Sequence, residues 1–449
     1  MTKMNLIELK SKKGLDIPIK GEAPKTTRDI VESITQVAIV PDSFPNSLLK
    51  PVAKAGEKVK AGQIVLYDKK NEQVKFTSPV SGVVKEIRRG EKRRIIAYVI
   101  EKDGSDNHNE FKLSATQDRS EIISTLLESG LWTAIRQRPF GIVAEPEKIP
   151  DAIYITASDT APLAPDYTYM LDSEKEAFEE GIKILKALSP KVNITVKNSD
   201  KDFFKNFDAN IISLKGPHPA GNLSFILQKT NPINKTNVVW YIMPWHVVFI
   251  GRMALTGRID FTKTVALTGP AAQNPGYYKI ISGAAIDKIE PTVKDGSLRY
   301  ISGDVLTGLN VGPDGFIGFY HDQVTIIKEG RYFEFMGWAL PGFKKYSPSG
   351  MFFSKLLYSK KKKFDFDTNL HGGTRPFVIP HLSERYVNLD IYPSNLIKAI
   401  MINDIDQMEK LGIYEVMPED FALMEYACIS KINIQEVVNR GIETMIKES

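Results

Sequence analysis

The chain has 449 residues, of which 42% are hydrophobic and 25% are charged. These proportions are those of an ordinary soluble protein, and the length predicts two to four domains. The net charge of +5 is slight for this length, and no long basic face indicates binding to nucleic acid. A single cysteine, Cys428, excludes an internal disulfide framework, an iron–sulfur cluster and a zinc-finger site built from the chain's own thiolates.

The N-terminal sequence has no apolar core of the kind found in signal peptides, so we expect no signal peptide. The longest apolar run, 238–250, contains Pro244 and His246 and is too short to cross a bilayer. We therefore expect no segment that spans a membrane by itself.

Residues 56–104 alternate short runs of β-branched residues with glycines, which predicts strands joined by tight turns. The pattern of 56–63 and 78–84 resembles the barrel-sandwich hybrid of biotinyl and lipoyl carrier domains. In such carriers a lysine at a hairpin tip holds the cofactor, and the resemblance places that tip near Lys69 and Lys70. The Met-Lys-Met of biotin carriers is absent, so a solvated turn is the favoured interpretation and modification of either lysine is the alternative.

A strand–helix–strand unit follows. Residues 152–157 form a continuous apolar run, which predicts a strand buried on both faces of a sheet. Ser173 to Glu176 is a capping-box signal for the next helix, and further strands are predicted at 192–196 and 211–214. This order predicts a Rossmann-like α/β domain. Neither a Gly-x-Gly-x-x-Gly motif nor a phosphate loop follows these strands, so we expect the fold without a bound nucleotide.

Residues 256–340 are rich in glycine and in short strand patterns, and the tail is helical. The sequence thus predicts a multidomain α+β protein. Its expected parts are a lead-in at 1–30, a biotinyl/lipoyl-like barrel-sandwich hybrid at 31–104, a Rossmann-like α/β domain at 105–255, a β-grasp (SLBB-like) domain at 256–340, a connecting arm at 341–380 and a helical C-terminal domain at 381–449.

Several stretches together carry a resemblance to one family. They are Gly-Leu-Asp-Ile-Pro-Ile-Lys-Gly at 14–21, Val-Lys-Phe-Thr-Ser-Pro at 74–79, Gly-Pro-His-Pro-Ala-Gly at 216–221, Val-Ala-Leu-Thr-Gly-Pro at 265–270 and Gly-Trp-Ala-Leu-Pro-Gly at 337–342. The chain closely resembles, from end to end, the NqrA family, whose members belong to Na+-translocating NADH:quinone reductases. That family is similar to the RnfC protein of the Rnf ferredoxin oxidoreductase and to the flavoprotein subunit of respiratory complex I.

The resemblance implies a peripheral subunit on the cytoplasmic side of a bacterial inner membrane. The implied complex passes electrons from NADH to ubiquinone and exports Na+, and the implied partners are its other subunits, chiefly a membrane-embedded one. Ubiquinone is the implied ligand, whereas NADH, FAD, FMN and iron–sulfur centres are expected in other subunits. A structural adaptor, or a flavin- and NADH-binding subunit of an Rnf-like complex, remains the alternative.

The related flavin-binding subunits carry a loop of the form Gly-x-Gly-Gly-Ala-Gly-Phe-Pro-Thr, and the corresponding stretch here is 130–141, GLWTAIRQRPFG. Trp, Ile and Arg replace glycines whose amides would meet a phosphate, so we expect neither FMN nor an iron–sulfur cluster. No two of the six histidines have the spacing of metal ligands in a helix, so we expect no metal site.

We predict that this vacated flavin loop contributes a quinone site through Trp132, Arg136, Arg138 and Phe140. A quinone head needs an apolar pocket and one or two donors for its carbonyls, and arginine supplies such donors. The alternative is that the stretch only fills the old cavity. No catalytic residue is assigned to the chain. The aromatic run at 240–249 is expected to pack in the core rather than to form a quinone wall.

Residues 351–363, MFFSKLLYSKKKK, place apolar groups beside four consecutive lysines. We expect 341–370 to be an arm that faces the membrane subunits, with Lys360 to Lys363 near anionic headgroups. Its predicted apolar face consists of Met351, Phe352, Leu356 and Tyr358. The alternative is an ordinary solvated loop.

Overall fold

The computed structural model describes residues 6–337, 340–357, 362–378 and 381–448, except for the side chains of 381 and 382. Its strands are β1 (Leu6–Lys10), β2 (Thr27–Asp29), β3 (Gln36–Ile39), β4 (Leu49–Pro51), β5 (Lys58–Val59), β6 (Ile64–Asp68), β7 (Lys75–Thr77), β8 (Gly82–Arg89), β9 (Ile95–Lys102), β10 (Arg136–Arg138), β11 (Ile142–Val143), β12 (Ile153–Ala157), β13 (Val192–Lys197), β14 (Asn210–Lys215), β15 (Val239–Ile242), β16 (Thr262–Thr268), β17 (Gly276–Ile281), β18 (Leu298–Ser302), β19 (Leu309–Asn310) and β20 (Gln323–Lys328). Its helices are α1 (Arg119–Glu128), α2 (Tyr167–Met170), α3 (Lys175–Leu188), α4 (Lys201–Phe204), α5 (Leu223–Thr230), α6 (Pro244–Thr256), α7 (Ser354–Leu357), α8 (His381–Glu384), α9 (Pro393–Met401), α10 (Ile405–Lys410), α11 (Ala422–Ala427) and α12 (Ile434–Glu448).

The barrel-like part consists of two small antiparallel sheets, β3-β9-β8-β5 and β4-β6-β7. Lys69 and Lys70 lie exposed in the turn between β6 and β7. The buried carboxylate of Asp68 accepts hydrogen bonds from the backbone N–H groups of Leu48 at 2.9 Å and Lys70 at 3.0 Å. These bonds fix the turn that carries the two lysines.

A seven-stranded sheet of order β1-β14-β13-β12-β15-β10-β11 forms the centre of the molecule. Its first five strands are parallel, and β10 and β11 continue it in antiparallel fashion. From β12 the chain moves outward to β13 and β14, and then crosses back to β15 on the other side of β12. The direction of winding therefore reverses between β12 and β15, which is where open α/β sheets form a crevice at the carboxyl ends of their strands.

Both faces of this central sheet are covered, as the apolar run 152–157 predicts. Ile153 and Ile155 point into a core that contains α3 and α6. Tyr154, between them, points into a second core shared with α5 and the C-terminal helices. Because neighbouring strand residues point to opposite faces, a strand covered on both sides is apolar at most of its positions. The aromatic residues Trp240, Trp245 and Phe249 are buried in the core, as expected, whereas Tyr241 is buried but also lines the cavity described below.

The first turn of α3 differs from the sequence prediction. The chain already forms a 3-10 turn at Asp172–Glu174, and α3 begins at Lys175 without a side-chain cap. Ser173 lies inside that turn, so it lacks the extended backbone that an N-cap residue adopts. The capping-box prediction at 173–176 is therefore wrong.

A six-stranded sheet of order β19-β18-β20-β16-β17-β2 packs beside the central sheet. The N-terminal thirty residues contribute a strand to each of the two large sheets, since β1 pairs with β14 and β2 pairs with β17. Within the described ranges, no helix is long and apolar enough to cross a bilayer.

Helices α3 and α6 cross closely because each carries a glycine at the crossing. A methyl group at Gly251 would lie 1.7 Å from the carbonyl oxygen of Ala177, and one at Gly181 would lie 2.2 Å from that of Val247. Neither position has room for a side chain, so the crossing depends on both glycines.

We expect Gly251→Ala to lower the free energy of unfolding by about 2–3 kcal/mol, because the helices must separate to accommodate the methyl group. This loss exceeds the gain of about 1 kcal/mol that alanine brings to a helix interior. Thermal unfolding followed by circular dichroism measures the change. Gly373→Ala is the control, since a methyl group there meets nothing within 4 Å. Equal stability of the two variants would contradict the close crossing.

Candidate functional site

A cavity of about 220 Å³ lies at the point where the winding of the central sheet reverses. One wall comes from the carboxyl ends of β12 and β15, through Asp159 and Met243. The opposite wall comes from the segment that leads into β20, through Tyr320 and Asp322. The cavity thus lies between the seven-stranded and six-stranded sheets.

Arg136, at the start of β10, places its guanidinium in the wall of this cavity. The group lies over two aromatic rings, with its central carbon 5.0 Å from the ring centre of Tyr241 and 4.9 Å from that of Tyr320. Its Nε and Nη2 donate to the carbonyl oxygen of Gly141 at 3.0 and 2.8 Å. Two rings and a backbone carbonyl therefore hold a positive charge at the edge of the cavity.

A buried ion pair holds the opposite wall. The ammonium group of Lys263 lies 3.0 Å from Asp322 and also donates to the carbonyl oxygens of Phe319 and His321, at 3.1 and 2.8 Å. The hydroxyl of Tyr167, in α2, donates to the other carboxylate oxygen of Asp322 at 3.1 Å. These bonds fix the segment 319–322 against the central domain.

His218, in the cavity wall, has an unused ring nitrogen. The hydroxyl oxygen of Thr160 accepts a hydrogen bond from the backbone N–H of Gly221 at 3.0 Å and lies 3.2 Å from Nδ1 of His218. In the tautomer of the neutral imidazole whose Nδ1 accepts the hydroxyl proton of Thr160, the ring proton lies on Nε2. Burial lowers the pKa of His218, which favours this neutral form. Nε2 has no hydrogen-bond partner among the described residues.

Two titratable groups in the cavity wall, Asp159 and His321, have shifted pKa values. Burial raises the pKa of Asp159 to about 6, and the nearby charges of Asp304 and Asp322 act in the same direction. The backbone N–H of Ala161 opposes this shift by donating to the carboxylate at 2.8 Å. Burial, followed by the charge of Lys263, lowers the pKa of His321 to about 4. Burial thus raises the affinity of the Asp159 carboxylate for a proton.

The four residues predicted from the vacated flavin loop occupy different places. Only Arg136 lines the cavity. Trp132 is fully buried against Trp240, with ring centres 5.3 Å apart, and donates to the carbonyl oxygen of Ala144 at 2.7 Å. Arg138 is buried behind the wall, where it bonds to the hydroxyl of Ser224 and, at 3.1 Å, to the carbonyl oxygen of Glu415.

Phe140 lies on the side of the C-terminal helices. Its ring centre is 5.8 Å from that of Tyr414, and its backbone adopts a φ of 80°. The structure therefore brings Arg136 into the cavity and leaves the other three in its supporting layers.

Several lining residues were missed by the sequence analysis. Asp159 lies two residues after the end of the buried strand β12, and a polar residue at the carboxyl end of a parallel strand is a usable signal for a ligand site. His218 lies within the motif at 216–221 that carried the family resemblance. Tyr320 and Asp322 had no such signal, because they reach the cavity from another sheet.

The fold and the site define a multidomain protein with a barrel-sandwich module, an α/β domain and a ligand-sized cavity at its sheet reversal. Family models match the chain in three places: the NqrA N-terminal barrel-sandwich hybrid domain at 9–103, the NqrA second alpha/beta domain at 117–259 and the NQRA C-terminal SLBB domain at 264–312. The chain belongs to the NqrA family, whose members are subunits of the Na+-translocating NADH-quinone reductase.

Full-length relatives agree with this assignment. The NqrA protein of the Na(+)-translocating NADH-quinone reductase of Vibrio vulnificus (strain YJ016) is 37% identical over 97% of this chain and 99% of its own length. The NqrA proteins of Marinomonas sp. (strain MWYL1) and Pasteurella multocida (strain Pm70) are 34% and 35% identical over the same shares. Among solved structures, an NAD+-reducing [NiFe]-hydrogenase is similar at a TM-score of 0.39 and 10% identity, over 75% of this chain and 62% of that chain.

Asp159→Asn tests the burial of the carboxyl group. The pKa of Asp159 is about 6 in the folded chain and about 4 when unfolded. Its ionisation therefore opposes folding fully at pH values above about 6 and has almost no effect at pH values below about 4. We expect the variant to raise the free energy of unfolding by about 1–3 kcal/mol at about pH 7.5 and to match the wild type near pH 4. Urea unfolding at several pH values measures this. Asp151→Asn, at an exposed position before β12, is the control; an equal pH response in both variants would contradict the assignment.

Proposed function

We propose that this chain is the peripheral subunit of a Na+-translocating NADH:ubiquinone oxidoreductase that helps to bind the ubiquinone head, in the cavity beside Arg136. The observation that carries the proposal is the guanidinium of Arg136, held over Tyr241 and Tyr320 in the wall of that cavity. Electrons from NADH would arrive through other subunits, and ubiquinone would be reduced to ubiquinol in a reaction coupled to Na+ export across the bacterial inner membrane.

The size of the cavity suits a single substituted ring. A cavity of about 150 Å³ in an engineered protein accommodates benzene, and this one has about 220 Å³. The rings of Tyr167, Tyr241 and Tyr320 and the side chain of Met243 supply apolar surface. A second, apolar cavity, lined in part by Phe44 and Phe319, has about 40 Å³ and is too small for such a ring.

Two donors are suited to the two quinone carbonyls. Arg136 supplies a charged donor, whose interaction strengthens as negative charge develops on the semiquinone oxygen. His218 supplies the neutral Nε2–H group, which lacks a partner in the described part of the chain. Reduction to ubiquinol consumes two protons, and Asp159, with its pKa near 6, is placed to deliver one of them.

The other three residues predicted from the loop would act on the wall rather than on the quinone. Arg138 ties β10 to the C-terminal segment through Ser224 and Glu415. Trp132 and Phe140 fill the two cores on either side. In this proposal they position Arg136, and their loss would affect quinone binding through it.

The chain would lie on the cytoplasmic side of the membrane and contact a membrane-embedded subunit, while FAD, FMN and iron–sulfur centres would reside in other subunits. A structural adaptor that binds no quinone is the competing function, and quinone binding by the purified chain separates the two.

Arg136→Met should weaken binding of a soluble ubiquinone analogue by about tenfold to a hundredfold, because a charged hydrogen bond is lost while the stem of the side chain is kept. Quenching of intrinsic tryptophan fluorescence measures the affinity. Arg119→Met is the matched control: its guanidinium also lies over an aromatic ring, 5.7 Å from the centre of Trp240, but outside the cavity. Equal affinities of both variants and the wild type would rule out the head-group site.

Photolabelling of the wild-type chain gives a test that does not depend on a variant. A photoreactive ubiquinone should label peptides that contain 156–167, 218–223 or 320–323, which line the cavity. Saturable labelling confined to other segments would place the quinone elsewhere, and absence of any saturable labelling would favour the adaptor.

We also expect the purified chain to contain no flavin. In the stretch 130–141, Trp132 is buried and Arg136 is bonded to Gly141, so side chains occupy the loop that carries glycines in the flavin-binding relatives. Absorbance spectra and acid extraction measure bound flavin. Stoichiometric FMN in the folded chain would contradict the proposal.

A further inference from the structure

The segment 331–363 has an unusual charge. It contains eight basic residues and a single acidic one, Glu334, which gives a net charge of +7. The whole chain has a net charge of +5, so the rest of the protein is slightly acidic, at −2. The basic residues are Arg331, Lys344, Lys345, Lys355 and Lys360 to Lys363. We call this segment the basic loop.

The two ends of the basic loop are fixed to the body of the protein. It begins after β20, whose last residue, Lys328, forms a bridge with Asp367. On the return side Phe364 forms a bridge with Ile19, and the ammonium group of Lys363 contacts Glu22. The loop therefore leaves and rejoins the six-stranded sheet at nearly the same place, and the residues between project from it.

Large apolar side chains are concentrated on the loop. Among the described residues, 10 of the 24 exposed large hydrophobic side chains lie in these 33 positions. Phe333 and Phe335 are 104% and 90% exposed, and Met351 and Leu356 are 84% and 81% exposed. Such a concentration of exposed apolar surface marks an interaction site rather than ordinary surface scatter.

The form of this surface favours a lipid partner. In the described part of the basic loop, the regular secondary structure is helix α7, which has four residues. Its length is too short to arrange the apolar side chains in the stripe that a protein groove recognises on a helix. Aromatic residues next to a surplus of lysines are typical of segments that lie at the membrane interface. Four consecutive lysines complement the negative charge of anionic headgroups. Lys360, Lys361 and Tyr358 lie outside the described residues and enter here by sequence alone.

We propose that the basic loop binds the surface of a bilayer that contains anionic phospholipids. The phenylalanine and leucine side chains enter the headgroup region, and the surplus positive charge of the loop lies near the phosphate groups. The loop thereby holds the six-stranded sheet against the membrane independently of the quinone cavity.

Vesicle binding by the full chain tests this proposal. The chain should sediment with vesicles of equimolar phosphatidylglycerol and phosphatidylcholine, and far less with pure phosphatidylcholine. Replacement of Lys360, Lys361, Lys362 and Lys363 by Gln should lower the partition coefficient by at least about tenfold at low salt. Phe333→Ser combined with Phe335→Ser should lower it at both low and moderate salt, because apolar insertion is not screened.

The matched control replaces four exposed lysines of the barrel-like part, Lys54, Lys58, Lys60 and Lys69, by Gln. This control variant loses the same charge as the loop variant and should bind vesicles nearly as the wild type does. If it lost as much vesicle binding as the loop variant, net charge alone would be responsible and the proposal would be overturned. A wild-type chain that ignores anionic vesicles would overturn it as well. If the wild type ignores vesicles and the loop variants still detach from membranes containing the whole complex, the partner of the loop is another protein of the complex and not lipid.

Discussion

The buried ion pair of Lys263 and Asp322 is the interaction on which the cavity wall at 319–322 depends, and Tyr167 ties that pair to the central domain. Both side chains are almost completely buried, at 0% and 3% exposure. An unpaired charge in such a place costs several kcal/mol, so each partner fixes the other. The remaining protons of Lys263 reach two backbone carbonyls, and Tyr167 from the central domain completes the coordination of Asp322. Since this network shapes the segment 319–322, it also shapes one wall of the cavity and presents Tyr320 to Arg136.

The central sheet has the topology of a ligand-binding α/β fold. Its strands reverse their order between β12 and β15, and the cavity lies at that reversal. A phosphate would need glycine-rich backbone at a helix N-terminus. Here the adjoining stretch supplies a tryptophan to the core and an arginine to the wall instead. Side chains of Arg136, Tyr241 and Tyr320 therefore shape this part of the cavity wall.

Strand β20 connects the cavity with the basic loop. Its first residue, Gln323, lines the cavity, and its last, Lys328, lies where the loop begins. A strand of six residues spans about 20 Å. In our two proposals, the same rigid element would carry the quinone site at one end and the lipid contact at the other. The sheet then sets the height of the cavity above the membrane surface.

The sequence by itself determined much of the local structure and the family. The apolar run 152–157 had to form a strand covered on both faces, and the alternation within 56–104 had to form short strands, because burial follows directly from the spacing of apolar residues. Arg136 was predicted as a site residue and lines the cavity. The capping box at Ser173 failed because the preceding turn is already helical, which no local pattern reveals.

Only the tertiary structure decided which side chains meet at the cavity. Trp132, Arg136, Arg138 and Phe140 are neighbours in sequence, yet Trp132 lies in a 3-10 turn before β10, the two arginines lie at the two ends of β10, and Phe140 lies in the turn after it, so they occupy different places. Tyr241, Tyr320 and Asp159 come from distant segments and converge on Arg136 or its cavity through the packing of two sheets. Sequence patterns specify which face of an element is buried, whereas the contacts between elements depend on how those faces are packed, and that packing is set by the whole chain at once.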